Sequence, residues 1–153
     1  MSYEHNPEKG RPSKEEYYLR IAEVVAERST CPRLHVGAVI VSNDMIISTG
    51  YNGAPRRLPH CTEVGCEIEN GHCVRTIHAE MNAILQAAYH GASTKDAALF
   101  TNFLPCKNCA KAIINSGVAT VIFREVYENG DVPATRQLFN QAGVNLVQFP
   151  KET

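Results

Sequence analysis

Residues 97–123 read AALFTNFLPCKNCAKAIINSGVATVIF, and the architecture turns on this stretch. Ala97 to Thr101 is an apolar run of strand length. Cys106 to Ser116 carries helical spacing closed by Gly117, and Val118 to Phe123 is a second strand. Strand, helix and strand in that order are the unit of α/β layering, a central sheet covered by helices on both faces. The helix opens on Pro105-Cys106-Lys107-Asn108-Cys109. One unit upstream, His78-Ala79-Glu80 opens another helical stretch, Ile77 to Tyr89, with Met81, Ile84, Leu85 and Ala88 on its apolar positions.

The remaining elements fall in place around this unit. Residues 1–12 form a polar N-terminal tail, and residues 13–150 are expected to be a single domain. Ser13 precedes Glu15-Glu16 and an amphipathic helix from Tyr17 to Arg28, which Ser29-Thr30-Cys31-Pro32 breaks. Val36 to Val41 and Met45 to Thr49 pair as a hairpin across Ser42-Asn43-Asp44. Gly50 to about Thr76 shows no element pattern, and loops of that length in compact domains are usually functional. Pro133 to Gln141 is a helix closed by Ala142-Gly143, and Val144 to Phe149 is the last strand.

The two helix starts supply one imidazole, two thiols and a carboxylate. His78, Cys106 and Cys109 suffice for three corners of a tetrahedral Zn²⁺, leaving the fourth to water, which separates a catalytic zinc from a closed structural one. Glu80, two residues from His78, handles protons without being a ligand. Each residue alone has a plainer reading, a helix-start histidine or a first-turn acid favoured by the helix dipole. Their joint placement at two successive helix starts, where α/β folds gather ligands, favours chemistry.

Net charge is −1 and 44% of residues are hydrophobic, so the chain has a core but no basic footprint for long nucleic acid. The N-terminus, MSYEHNPEKGRPSKEE, has no apolar segment of a secretory leader, and no apolar run reaches transmembrane length. A cytoplasmic setting is expected, where the six cysteines read as metal or catalytic groups before disulfides. Cys31, Cys61, His72 and Cys73 are candidates for a second, structural zinc, with Cys66 and His60 as alternates. Cys61-x₄-Cys66 and His72-Cys73 share one irregular loop that a metal could hold in shape.

Thr76-Ile77-His78-Ala79-Glu80-Met81-Asn82-Ala83-Ile84 and Phe103-Leu104-Pro105-Cys106-Lys107-Asn108-Cys109-Ala110-Lys111 resemble the zinc-dependent cytidine/deoxycytidylate deaminase superfamily. With Val36-Gly37-Ala38-Val39-Ile40, Ser48-Thr49-Gly50-Tyr51-Asn52-Gly53 and Gly71-His72-Cys73, the resemblance narrows to deoxycytidylate (dCMP) deaminases, closest to bacterial members of the late-competence-operon type. It covers roughly residues 14–149. It implies a cytidine deaminase-like three-layer α/β/α fold with a five-stranded mixed sheet. The implied activity is hydrolysis of dCMP to dUMP and ammonia, supplying dUMP for thymidylate synthesis.

By that resemblance Asn52 contacts the substrate sugar and the Ala79 backbone the pyrimidine carbonyl. Tyr51 and Arg56 are further candidates for substrate contact, Arg56 or Arg57 for the phosphate. Cys31, Cys61 and His72 match the positions of a structural zinc, its fourth ligand being Cys73 or Cys66. The resemblance also implies a homohexamer activated by dCTP with Mg²⁺ and inhibited by dTTP. Tyr89 stands where regulated members carry a basic residue, which counts against that control. Competing readings are a deaminase acting on dCTP, cytidine or tRNA adenosine, and a zinc-stabilised binding module without catalysis. The last has no need of Glu80.

Overall fold

The computed structural model describes residues 10–127 and 131–151; most of the expected polar tail, residues 1–9, lies outside them. Helix α1 (Lys14–Ala26) is capped by Ser13, whose Oγ accepts from the Glu16 N–H at 3.2 Å. The cap explains why the helix begins ahead of Tyr17. Strands β1 (Gly37–Ser42) and β2 (Met45–Tyr51) form the hairpin, turning on Asn43 and Asp44 with φ of 52° and 61°. Positive φ at both turn residues suits the twist of the flanking strands.

The stretch from Gly50 to Thr76 is more structured than its pattern suggests. It holds a single helical turn, α2 (Cys61–Val64), and a small hairpin of β3 (Ile68–Glu69) with β4 (His72–Cys73). Elements of two to four residues are too short to show a hydrophobic period. Then come α3 (Ala79–Tyr89), β5 (Ala98–Phe103), α4 (Lys107–Asn115), β6 (Thr120–Glu125), α5 (Val132–Ala142) and β7 (Asn145–Gln148).

The main sheet is five-stranded in the order β2-β1-β5-β6-β7. β1 runs antiparallel to β2 and β5, whereas β5, β6 and β7 are mutually parallel, so the sheet is mixed. Alternate residues of each central strand serve opposite faces. Ala38, Ile40, Leu99 and Val121 pack with Ala79, Ala83, Ile113 and Phe139 from α3, α4 and α5. Val39, Val41, Phe100 and Ile122 pack on the other face with Tyr18, Leu19 and Ala22 of α1. Both faces are therefore covered, which is why β1 is apolar nearly throughout. No helix of the described residues is long and apolar enough to cross a membrane.

Candidate active site

Two helix starts meet beyond the end of β5. His78 is the N-cap of α3 and Cys106 that of α4, both with extended backbone, and neither caps its own helix with its side chain. The side chains turn toward each other instead. His78 Nδ1 stands 3.5 Å from Cys106 Sγ and 3.3 Å from Cys109 Sγ. The three donor atoms all lie within 4.8 Å of one another. Zn–S and Zn–N bonds at tetrahedral angles would separate sulfur from nitrogen by about 3.6 Å, so the donor set fits zinc.

The electrostatics agree. Cys106 is pulled down to about 3, first by its contact with Cys109 and then by His78, against the opposing effect of burial. Cys109 moves the other way, because Cys106, its own burial and the Glu80 charge all disfavour a second thiolate. His78 is raised to about 8, chiefly by Cys106. A bare site thus holds one thiolate comfortably and resists two, and a divalent cation supplies the charge that lets both ionise.

Glu80, in the first turn of α3, is 4% exposed and also touches Cys109. Burial pushes its carboxyl above the ordinary range, opposed by His78. That is the tuning expected of a group that must both take and give a proton near neutrality. Ala79 is fully buried as the first helical residue, where a backbone N–H has no intrahelical acceptor.

His78, Ala79, Glu80 and Cys106 line one open cavity with Asn52. The Asn52 amide is already a brace: Oδ1 accepts from the Val36 N–H at 2.9 Å and Nδ2 donates to the Leu34 carbonyl at 2.7 Å. One N–H of that amide is left for a ligand. Tyr51 and Arg56 are not among the cavity's lining residues. Arg56 instead donates to Gln86 Oε1 at 2.9 Å and lies 4.5 Å over the Tyr89 ring. Arg33, Leu34, Phe103 and Tyr127 also line the cavity and were missed in sequence, since no local pattern links them to His78.

A second group of thiols stands in the insertion. Cys61, Cys66 and Cys73 have sulfurs within 4.8 Å of one another, with Cys61 and Cys73 3.6 Å apart. Tetrahedral zinc thiolate would place sulfurs about 3.8 Å apart, so these three also fit. Cys66, the alternate, thus joins Cys73 beside Cys61. Cys31 lies outside that trio, though near enough to Cys66 to help raise its pKa. The side chain of His72 lies outside the described set. His60 is not in the trio either; its buried Nδ1 has no hydrogen-bond partner among the described residues.

Three donors with one corner open, beside a buried carboxylate, define a metal-assisted hydrolase rather than a closed structural zinc. The family model described as "Cytidine and deoxycytidylate deaminase zinc-binding region" matches residues 12–125, and the chain belongs to that family. It is 44% identical to ComE operon protein 2 of Bacillus subtilis, over 90% of this chain and 72% of that protein. It is 33% identical to a deoxycytidylate deaminase of Saccharomyces cerevisiae over 91% of this chain, spanning only 46% of the yeast protein. A dCMP deaminase of cyanophage S-TIM5, solved in complex with dCMP and dUMP, superposes with a TM-score of 0.80 at 32% identity, covering 92% of this chain and 99% of that one.

Proposed function

We propose that this chain hydrolyses dCMP to dUMP and ammonia. The observation that carries the reading is the buried Glu80 carboxyl beside the His78, Cys106 and Cys109 donors, with Glu80, His78 and Cys106 lining one open cavity. Zinc held by those three residues would lower the pKa of a water to roughly 7 and make a hydroxide nucleophile available. Glu80 accepts the proton that this water gives up and delivers it to the pyrimidine ring nitrogen N3. Once the oxygen has added to C4, Glu80 would take the proton of the new C4 hydroxyl and pass it to the amine, so that the C4–N4 bond breaks, ammonia leaves and a carbonyl remains at C4. The Ala79 N–H holds the ring's other carbonyl and Asn52 the sugar.

The relatives named as deoxycytidylate deaminases, and the phage enzyme holding dCMP and dUMP, support a nucleotide substrate. A net charge of −1 weighs against long RNA. The reading extends to a second, structural zinc on Cys61, Cys66 and Cys73, the fourth donor coming from Cys31 or His72. It extends also to a cytoplasmic homohexamer, checked by analytical ultracentrifugation. Control by dCTP with Mg²⁺ and by dTTP, also implied by the resemblance, is checked by adding each effector to the assay. The substrate test is steady-state deamination of cytidine, deoxycytidine, dCMP and dCTP by the pure zinc-loaded protein. The highest kcat/KM belongs to dCMP; a higher value for cytidine or dCTP would overturn the assignment.

A further inference from the structure

At the start of β1 the backbone ladder hands over to side chains. The pairing with β5 stops at Ala38 and Thr101, and the pairing with β2 stops at Gly37 and Tyr51. The next residue on each neighbour is an asparagine. Asn102 of β5 accepts at Oδ1 from the Gly37 N–H at 3.0 Å and donates from Nδ2 to the His35 carbonyl at 2.9 Å. Asn52, directly after β2, takes the alternate groups, the Val36 N–H and the Leu34 carbonyl. Two primary amides thus grip four successive residues from opposite sides, as flanking strands would. Of the two amides, Asn52 lines the cavity that holds His78 and Glu80, together with Leu34 and Val36, whereas Asn102 does not. The region of Asn52 is also tied to the start of α3, because Gly53 and Ile77 exchange N–H and carbonyl at 3.2 and 2.8 Å just before His78.

We propose that Asn102 is a positioning residue for substrate binding, acting through residues 34–37 to aim the free Nδ2 N–H of Asn52; the inference rests on the dCMP reading above. The direction of that N–H is set by the two bonds the Asn52 amide already makes, to Leu34 and Val36. Those residues are held in turn from their other side, through His35 and Gly37, by Asn102. Without the Asn102 amide, the N–H of the buried Gly37 and the His35 carbonyl lose these bonds. A buried donor left unpaired is costly, so the segment shifts to pair it elsewhere and carries the Asn52 amide with it. His78, Cys106 and Cys109 stand on other elements, at the starts of α3 and α4, so the effect falls on substrate rather than on metal.

The test compares zinc-loaded wild type, Asn102→Ala, Asn102→Asp, Asn52→Ala and the double alanine variant on dCMP, with calorimetric binding of dUMP and zinc content measured alongside. In Asn102→Ala, KM rises about 5- to 20-fold and dUMP binding weakens in step, the size expected for two neutral hydrogen bonds. Its kcat stays within about threefold and its zinc matches wild type, the mark of lost substrate binding. Asn102→Asp keeps the shape and the acceptor for Gly37, so its KM lies between, and it covers the case in which the alanine variant fails to fold. Because Asn102 acts through Asn52, removing it in the Asn52→Ala background raises KM by less than it does in wild type. Unchanged KM in both Asn102 variants overturns the proposal, and so does a fall in kcat or zinc at constant KM, which is what a brace of the fold alone would give. Independent effects that multiply in the double variant overturn it too. A wild type with higher kcat/KM on cytidine or dCTP than on dCMP overturns the dCMP reading before any variant is made, and the same comparison on that substrate still decides the role of Asn102.

Discussion

Gly50 of β2 lies against Ala83 of α3 with no room for one more carbon. A Cβ on Gly50 would overlap the Ala83 backbone nitrogen and the Ala79 carbonyl oxygen. The hydroxyl of Ser48 fastens the same contact, donating to the Ala83 carbonyl at 2.6 Å. The first turn of α3, which carries Glu80 and follows His78, is thus set by how closely β2 passes beneath it.

Gly50→Ala should therefore damage the site from a distance. The obstruction is backbone, which cannot swing aside, so α3 or β2 must shift. A cost of about 1–3 kcal/mol is expected for overpacking of this kind. Thermal unfolding together with zinc content checks it: a lowered Tm and reduced zinc occupancy are expected, and unchanged values for both would refute the close-packing argument.

Arg124 is 2% exposed and joins α1 to β6, its Nη1 2.7 Å from Glu16 and its Nε 2.8 Å from Glu23. Arg124→Met should destabilise by on the order of 3 kcal/mol, because two carboxylates lose their cation. The same pair sets an acid limb. The Arg124 guanidinium, helped by Arg20 and opposed by burial, holds Glu16 down from its ordinary 4.5 to about 2. A depressed carboxylate contributes fully above its unfolded value and loses that contribution as pH falls from 4.5 toward 2. The wild-type Tm should drop through that window, and a Glu16→Gln protein, already less stable at neutral pH, should drop less.

Cys61→Ser tests the second metal. An alcohol is a far poorer zinc ligand than a thiolate, so the wild type is expected to bind two zinc ions per chain and the variant one. The insertion it loosens carries Gly71 and Cys73 to the cavity. Substrate would then be held less well in reacting geometry, and kcat/KM should fall with the catalytic zinc still bound. Elemental analysis that finds one zinc in the wild type, prepared without chelators, would remove the second site and leave the deaminase reading standing.

What could be read in advance, and what could not, divides along physical lines. Strands such as β1 and β6 are apolar runs bounded by turn residues, and α3 and α4 begin directly after His78 and Cys106, two of the residues proposed to hold the metal. Local pattern sufficed there. The sequence reading failed where a few residues act across long separations. The Arg33 bond to Gly71 spans 38 positions, and nothing around either residue announces it. Arg56 looked suited to a phosphate, yet the fold spends its guanidinium on Gln86 and Tyr89. Asn52 sits in a turn-like Asn-Gly pair, and only the folded chain shows its amide bracing Leu34 and Val36.

The most direct test of the whole account is the Glu80→Gln protein, assayed for dUMP and ammonia released from dCMP with its zinc measured in the same sample. The amide keeps the shape beside His78, Cys106 and Cys109 but cannot carry a proton from water to the ring and on to the amine. Zinc content should match wild type while kcat falls by about 10²–10⁴-fold. Turnover within about tenfold of wild type, with zinc retained, would contradict the role assigned to Glu80.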